Sequence, residues 1–304
     1  MVGGVLVQAV SLVAIIALGL GVKRLGWLSV AHFPVLATIV LRITLPAAII
    51  TSVNDFDLTW ALLSLAVVGL VVNVLQQGTG MLMGRRRGRE AQAFGVLNVG
   101  SYNMGAFAMP YLAGFMGPQA LVLASLFDVG NAVAAAGLGY AWAMALAPGD
   151  RRMGVGGFVR TMLRSTIFVT YLVMLPLRLL DLSLPGPVIG LTGTIGAANT
   201  FLAMFMIGVG LELRLPRAKY RQALMLLTVR YGYAVLFALG TWLLLPVPAE
   251  VKVVLCMVYF APIAAMAPGY TAEVRGDVEL STFMTSVTIL VGIVAMPVVL
   301  TLLA

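Results

Sequence analysis

The feature that most limits what this chain can become is a succession of apolar runs, each near 20 residues and separated by short polar breaks. A helix needs roughly 20 mostly apolar residues to cross the hydrocarbon of a bilayer. Hydrophobic residues make up 61% of the 304 positions and charged residues only 10%, more apolar surface than an aqueous fold of this length can bury. In lipid every backbone polar group must be satisfied internally, so consecutive spanning runs fold as helices. The expected class is an all-α integral membrane protein.

Ten transmembrane helices are expected, over residues 5–22, 33–53, 58–83, 91–115, 119–147, 163–180, 187–210, 222–245, 251–272 and 280–303. The loops after odd-numbered spans hold 15 of the 19 Lys and Arg residues, including Lys23, Arg24, the run Arg85–Arg86–Arg87, Arg151, Arg152, Arg214 and Lys219. The loops after even-numbered spans hold Lys252 beside Asp55, Asp57, Asp181 and Glu250. By the positive-inside rule the odd loops are cytoplasmic, with both termini on the non-cytoplasmic side of the inner (plasma) membrane. The net charge of +8 is then orientation chemistry, so the lipid bilayer is an expected partner and nucleic acid is not. The first apolar segment has no Lys or Arg before it and reads as a retained span rather than a secretory signal.

The two halves look alike. The fourth span ends NMGAFAMPYLAGFMGPQAL and the ninth ends APIAAMAPGYTAEVRGDVEL, each with glycine and proline inside an apolar run followed by a short break. Five spans per half is odd, so the second half inserts upside down relative to the first. Proline breaks a helix by removing a donor and crowding the preceding turn, and Pro110, Pro262 and Pro268 stand where those breaks are expected. Interrupted helices at matching positions of inverted repeats point to a transporter binding site. Half-helix N-termini that meet there favour a carboxylate.

These residues also carry a resemblance. SYNMGAFAMPYLAGFMGPQAL, with RITLPA, FMIGVGLEL, VRY and LSTFMTSVTILVGIVAMPVV, is similar to the auxin efflux carrier family, which includes plant PIN proteins and bacterial malonate-type carriers. The fold is shared more distantly with the bile acid sodium symporters. The resemblance implies two inverted five-helix repeats with helices four and nine broken and crossing. It implies a scaffold of helices 1–2 (residues 1–57) and 6–7 (163–215), which forms a homodimer. Helices 3–5 (58–147) and 8–10 (220–304) would form the moving transport unit of an elevator mechanism. It also implies that Asn103, which matches the family's carboxylate-contacting asparagine, binds substrate. The chain departs from the family in the apolar IAAMA between Pro262 and Pro268, and in Phe201 where many members have proline.

Polar residues inside the spans complete the candidate site. Asn98, Ser101, Tyr102 and Asn103 cluster at the first break, as substrate contacts or as caps for freed backbone groups, and Tyr259 and Tyr270 flank the second. Asp128, one turn from Asn131, can carry a proton or stand in a permanent salt bridge with Arg230. Arg230 can instead neutralise an anionic cargo, and Arg42 can snorkel toward its helix end.

Enzyme chemistry is not expected. There is no HExxH and no GxSxG, and a single histidine, His32, and a single cysteine, Cys256, cannot assemble the usual zinc or nucleophile arrangements. No cofactor and no metal are expected. The expected function is a secondary active transporter of a small organic anion, proton-coupled or uniport, with a sodium-coupled bile-acid-type symporter as the first alternative and a channel as the second.

Overall fold

A computed structural model describes residues 2–147, 153–212 and 215–303. Arg151, Arg152 and Arg214 of the basic loops lie outside the described residues. Every ordered element among the described residues is helical. In chain order these are α1 (Val2–Arg24), α2 (Val30–Asn54), α3 (Trp60–Arg87), α4 (Arg89–Val99), α5 (104–116), α6 (118–146), α7 (Val155–Arg164) and α8 (Thr166–Leu179). They continue with α9 (Gly186–Gly210), α10 (Arg217–Leu244), α11 (Ala249–Tyr259), α12 (Ala267–Glu273) and α13 (Val278–Leu303). Among the described residues seven stretches are long and apolar enough to cross a membrane, or eight if the bent pair α7–α8 is one span. One of the seven is the 58-residue stretch Arg89–Leu146, which holds α4, α5 and α6.

That stretch is interrupted twice. Residues 100–103 leave helical geometry, and Gly117 turns the chain with φ 77° and ψ −165°, a left-handed conformation that residues with a Cβ avoid. Pro118 follows and starts α6. The ninth apolar run is likewise divided into α11 and the seven-residue α12 by a non-helical stretch that begins at Phe260.

The sixth run differs from expectation. Its helix starts at Thr166 rather than at residue 163, after Ser165, whose side chain accepts from the Phe168 N–H as an N-cap. Ahead of it lies α7, bent from α8 by 83°. Arg160 and Arg164 interrupt the apolar residues of α7 at helical spacing, so a search for continuous apolarity passes over it.

Close packing depends on glycine where helices touch backbone to backbone. A Cβ on Gly80 of α3 would run into the carbonyl of Gly95 of α4, and the reverse holds as well. Gly19 of α1 and Gly208 of α9 also lie Cα to Cα, and a Cβ would run into the Phe205 carbonyl from Gly19 and into the Ile16 carbonyl from Gly208. Small residues facing each other let membrane helices approach closely enough for dispersion contact.

Candidate functional site

The two breaks meet. The Asn103 N–H donates to the Pro262 carbonyl at 2.8 Å, joining the gap between α4 and α5 to the gap between α11 and α12. Irregular backbone away from water needs a partner for every freed group. The Tyr102 N–H donates to Asn131 Oδ1 (3.1 Å), and Asn131 Nδ2 donates back to the Tyr102 carbonyl (3.2 Å). The Ile263 N–H donates to Thr288 Oγ1 (3.0 Å) and the Ala264 N–H to Ser101 Oγ (3.4 Å). Gln77 Nε2 donates to the carbonyls of Gly100 and Ala134, both at 3.0 Å.

Arg230 closes this set. Fully buried on α10, it donates from Nη1 to the Val99 carbonyl (2.8 Å) and from Nη2 to the Ala261 carbonyl (2.9 Å). Val99 is the last residue of α4 and Ala261 stands two residues past the end of α11, beside helix C-termini where the dipole is negative and a cation is favoured. The guanidinium also lies 4.9 Å from the Tyr102 ring centroid, within cation–π range.

A cavity of about 720 Å³ adjoins the junction. Tyr102, Asn103, Asp128 and Asn131 line it, together with Ala264 and Met266 from the second break. Asn103 sits at the start of α5, and its side chain has no hydrogen-bond partner among the described residues. Arg42 and Arg164 also line the cavity, are exposed to it and are without partners among the described residues. Tyr270, Tyr140 and Glu273 line it too, with the Tyr140 hydroxyl bonded to Glu273.

Several expected site residues stand elsewhere, each for a visible reason. Asn98 is buried behind the junction, where it donates to Thr271 Oγ1 (3.1 Å) and accepts from Ser281 Oγ (2.5 Å), stitching α4 to α12 and α13. Ser101 caps Ala264 and lies outside the large cavity. Tyr259 turns its hydroxyl to Thr241 (2.8 Å) and packs its ring among Phe127 and Phe237. Pro110 lies within α5 and its carbonyl accepts from Thr200 Oγ1 (3.4 Å). Pro268 is in the first turn of α12, where its missing N–H costs nothing.

Asp128 and Arg230 form no salt bridge, because the arginine is committed to carbonyls. Asp128 accepts instead from Asn131 Nδ2 (2.8 Å) and from the Tyr171 hydroxyl of α8 (2.9 Å). Tyr171, Gln77 and Arg164 were not among the residues read from sequence as site residues. The adjacent Gln76 and Gln77 inside an apolar span were a usable signal, since uncharged polar groups at such depth need partners. Among the described residues no group of three or more His, Cys, Asp or Glu side chains is placed to hold a metal ion.

A multi-pass helical protein with a polar cavity at a junction of interrupted helices has the architecture of a membrane transporter. Comparison with known proteins bears this out: the chain is a transporter and not an enzyme. The Sodium Bile acid symporter family matches residues 199–304, from the middle of α9 to the end of the chain. Across 293 residues, covering 94% of each chain, the sequence is 26% identical to an uncharacterized transporter of Methanothermobacter thermautotrophicus. Of the two resemblances drawn from sequence, the family match names the more distant one.

Proposed function

We propose that this transporter is a secondary carrier of a small organic anion, a carboxylate by its chemistry, with its binding site in the cavity at the junction. One observation carries the reading: the unpartnered amide of Asn103 lines a cavity of about 720 Å³ that also receives two unpartnered arginines, Arg42 and Arg164. An amide donor beside the N-terminus of α5 and two cations suit an anion better than a neutral or cationic cargo.

The topology that goes with this reading counts α4 with α5 as one span and α11 with α12 as another. That gives ten spans in two inverted five-helix repeats whose fourth and ninth members cross, in the manner of the auxin efflux carriers. Contacts between helix ends support it. Lys23 in the last turn of α1 reaches the Leu211 carbonyl after α9, Arg89 at the start of α4 reaches the Ala145 carbonyl of α6, and Lys219 of α10 pairs with Asp277 and Glu279 before and in α13. These contacts join odd-numbered loops, all basic but the net-acidic ninth, on the cytoplasmic side of the plasma membrane in this reading, with both termini outside. Helices α1, α2, α8 and α9 form the scaffold and dimer surface, and the rest moves against them.

Coupling has two readings. Asp128 bonds across to Tyr171 of the scaffold helix α8, which supports a proton-linked movement of the transport unit. The family match over residues 199–304 supports a sodium-coupled symporter equally well. A thermal-shift screen of small carboxylates on purified protein identifies the cargo, since a ligand bound by the folded form stabilises it. Uptake of that cargo into proteoliposomes under a proton gradient or a sodium gradient then separates the two. A protein stabilised by no organic anion is not the carrier described here, and flux that neither saturates nor exchanges is that of a channel.

A further inference from the structure

Helix α7 is the one element that neither the span pattern nor the junction accounts for. Its sequence, VGGFVRTMLR, divides the helix surface into edges with different neighbours. Met162 is buried and Phe158 packs against Gly137 of α6, so that edge faces the protein. Val155, Val159 and Leu163, at i, i+4 and i+8, are 82%, 45% and 54% exposed, an apolar edge with no protein against it. Gly156, Arg160 and Arg164 form the next edge, and all three are exposed. On the remaining side Thr161 lines the cavity, and Met162 and Arg164 reach it from the adjoining edges.

The 83° bend between α7 and α8 sets α7 close to perpendicular to the helix that follows it. An amphipathic helix turned flat beside a spanning helix, with an apolar edge next to a basic one, has the composition of an interfacial helix. We propose that α7 is a membrane-surface helix that docks on anionic lipid. Val155, Val159 and Leu163 enter the acyl boundary and Arg160 meets headgroup phosphates. Because the same helix walls the cavity through Thr161 and Met162, the lipid surface holds one side of the cavity entrance in place. The committed partner is the bilayer, by charge complementarity with Arg160 and by the exposed apolar edge.

The test uses full-length protein in vesicles and rests on the transporter reading only for membrane insertion. The sole cysteine, Cys256, is replaced (Cys256→Ser), and nitroxide labels are placed through Val155→Cys, Val159→Cys, Leu163→Cys, Gly156→Cys and Arg160→Cys. Labels at 155, 159 and 163 are expected to collide with oxygen several-fold more than with a nickel chelate, and labels at 156 and 160 to show the reverse. Adding phosphatidylglycerol to phosphatidylcholine vesicles should shift the label at 159 deeper, and Arg160→Gln should remove that shift. Equal nickel access at all five positions would overturn the proposal. So would a depth at 159 indifferent to phosphatidylglycerol, or one that inorganic phosphate reproduces in phosphatidylcholine alone. No cargo enters the measurement, so it stands or falls separately from the organic-anion reading.

Discussion

The backbone of Asn103 and the backbone of Pro262 are joined by a 2.8 Å hydrogen bond across 159 positions of sequence, and the side chain of Asn103 is left free by that bond to face the cavity. The main chain of Asn103 therefore belongs to the framework and its amide to the site. Substitution of the side chain should separate the two. Asn103→Ala keeps the N–H that bonds Pro262, so the thermal midpoint should change little. Loss of an amide donor to a charged cargo is worth about 1.5–3 kcal/mol, so the apparent affinity for the transported anion should fall about 10- to 150-fold. Uptake kinetics in proteoliposomes measure it, and an unchanged KM removes Asn103 from the site.

Arg230 should behave in the opposite way, as a residue of the framework first. It alone reaches both the Val99 and the Ala261 carbonyls, from two nitrogens of one planar group. Arg230→Met leaves both carbonyls buried without a donor, at a cost of about 1–3 kcal/mol each. Arg230→Lys restores the charge but not the fork, and should recover only part of the loss. Thermal unfolding in detergent should rank the native chain above the lysine variant and the lysine variant above the methionine variant. Equal midpoints would mean that the junction does not depend on the clamp.

Much of this junction was legible in the sequence. Glycine and proline in NMGAFAMP and proline in APIAAMAP marked two interruptions, but of these only Pro262 lies where the chain leaves helical geometry. The first break falls at residues 100–103, ahead of Gly105 and Pro110, which stand in α5, and Pro268 stands in α12. Asn131, one turn from Asp128, was close enough in sequence for their pairing to be anticipated. Partners set by tertiary packing were not legible. Tyr171 reaches Asp128 from 43 residues away, and Arg230 finds its carbonyls at the ends of two other helices, with no local pattern that links them. Tyr259 looked like a cavity residue because it borders Pro262, yet its hydroxyl had a nearer partner in Thr241. Helix α7 escaped because its apolar residues cover one stripe instead of filling a run.

The Asp128–Tyr171 bond links α6 to α8, two helices assigned to opposite bodies of the carrier. If the carboxylate carries the coupling proton, Asp128→Asn should still bind cargo in a thermal-shift assay while uptake loses its response to an imposed pH gradient. Tyr171→Phe keeps the carboxylate and removes one neutral donor, a change of about 1 kcal/mol, so the pH response should persist. Retention of the pH response in Asp128→Asn would pass coupling to another group and favour the sodium reading.

Two glycines on α3, one turn or less apart, give a test of the packing itself. Gly78 has only the far edge of the Trp142 ring near the position of an added Cβ, at 3.9 Å, an ordinary contact. Gly80 faces the backbone of Gly95, which cannot move aside without carrying α4 and the first break with it. Alanine is favoured over glycine inside a helix by about 1 kcal/mol, so Gly78→Ala should be neutral or stabilising. At Gly80 the same methyl must push α3 from α4, and overpacking of this kind costs about 1–3 kcal/mol or more. The Gly80→Ala variant should therefore melt lower than Gly78→Ala although both gain the same helix propensity. The separation it forces also moves Gly100 away from Gln77, whose amide holds the Gly100 carbonyl at 3.0 Å, so cargo affinity should fall with stability in one variant and in neither measure in the other.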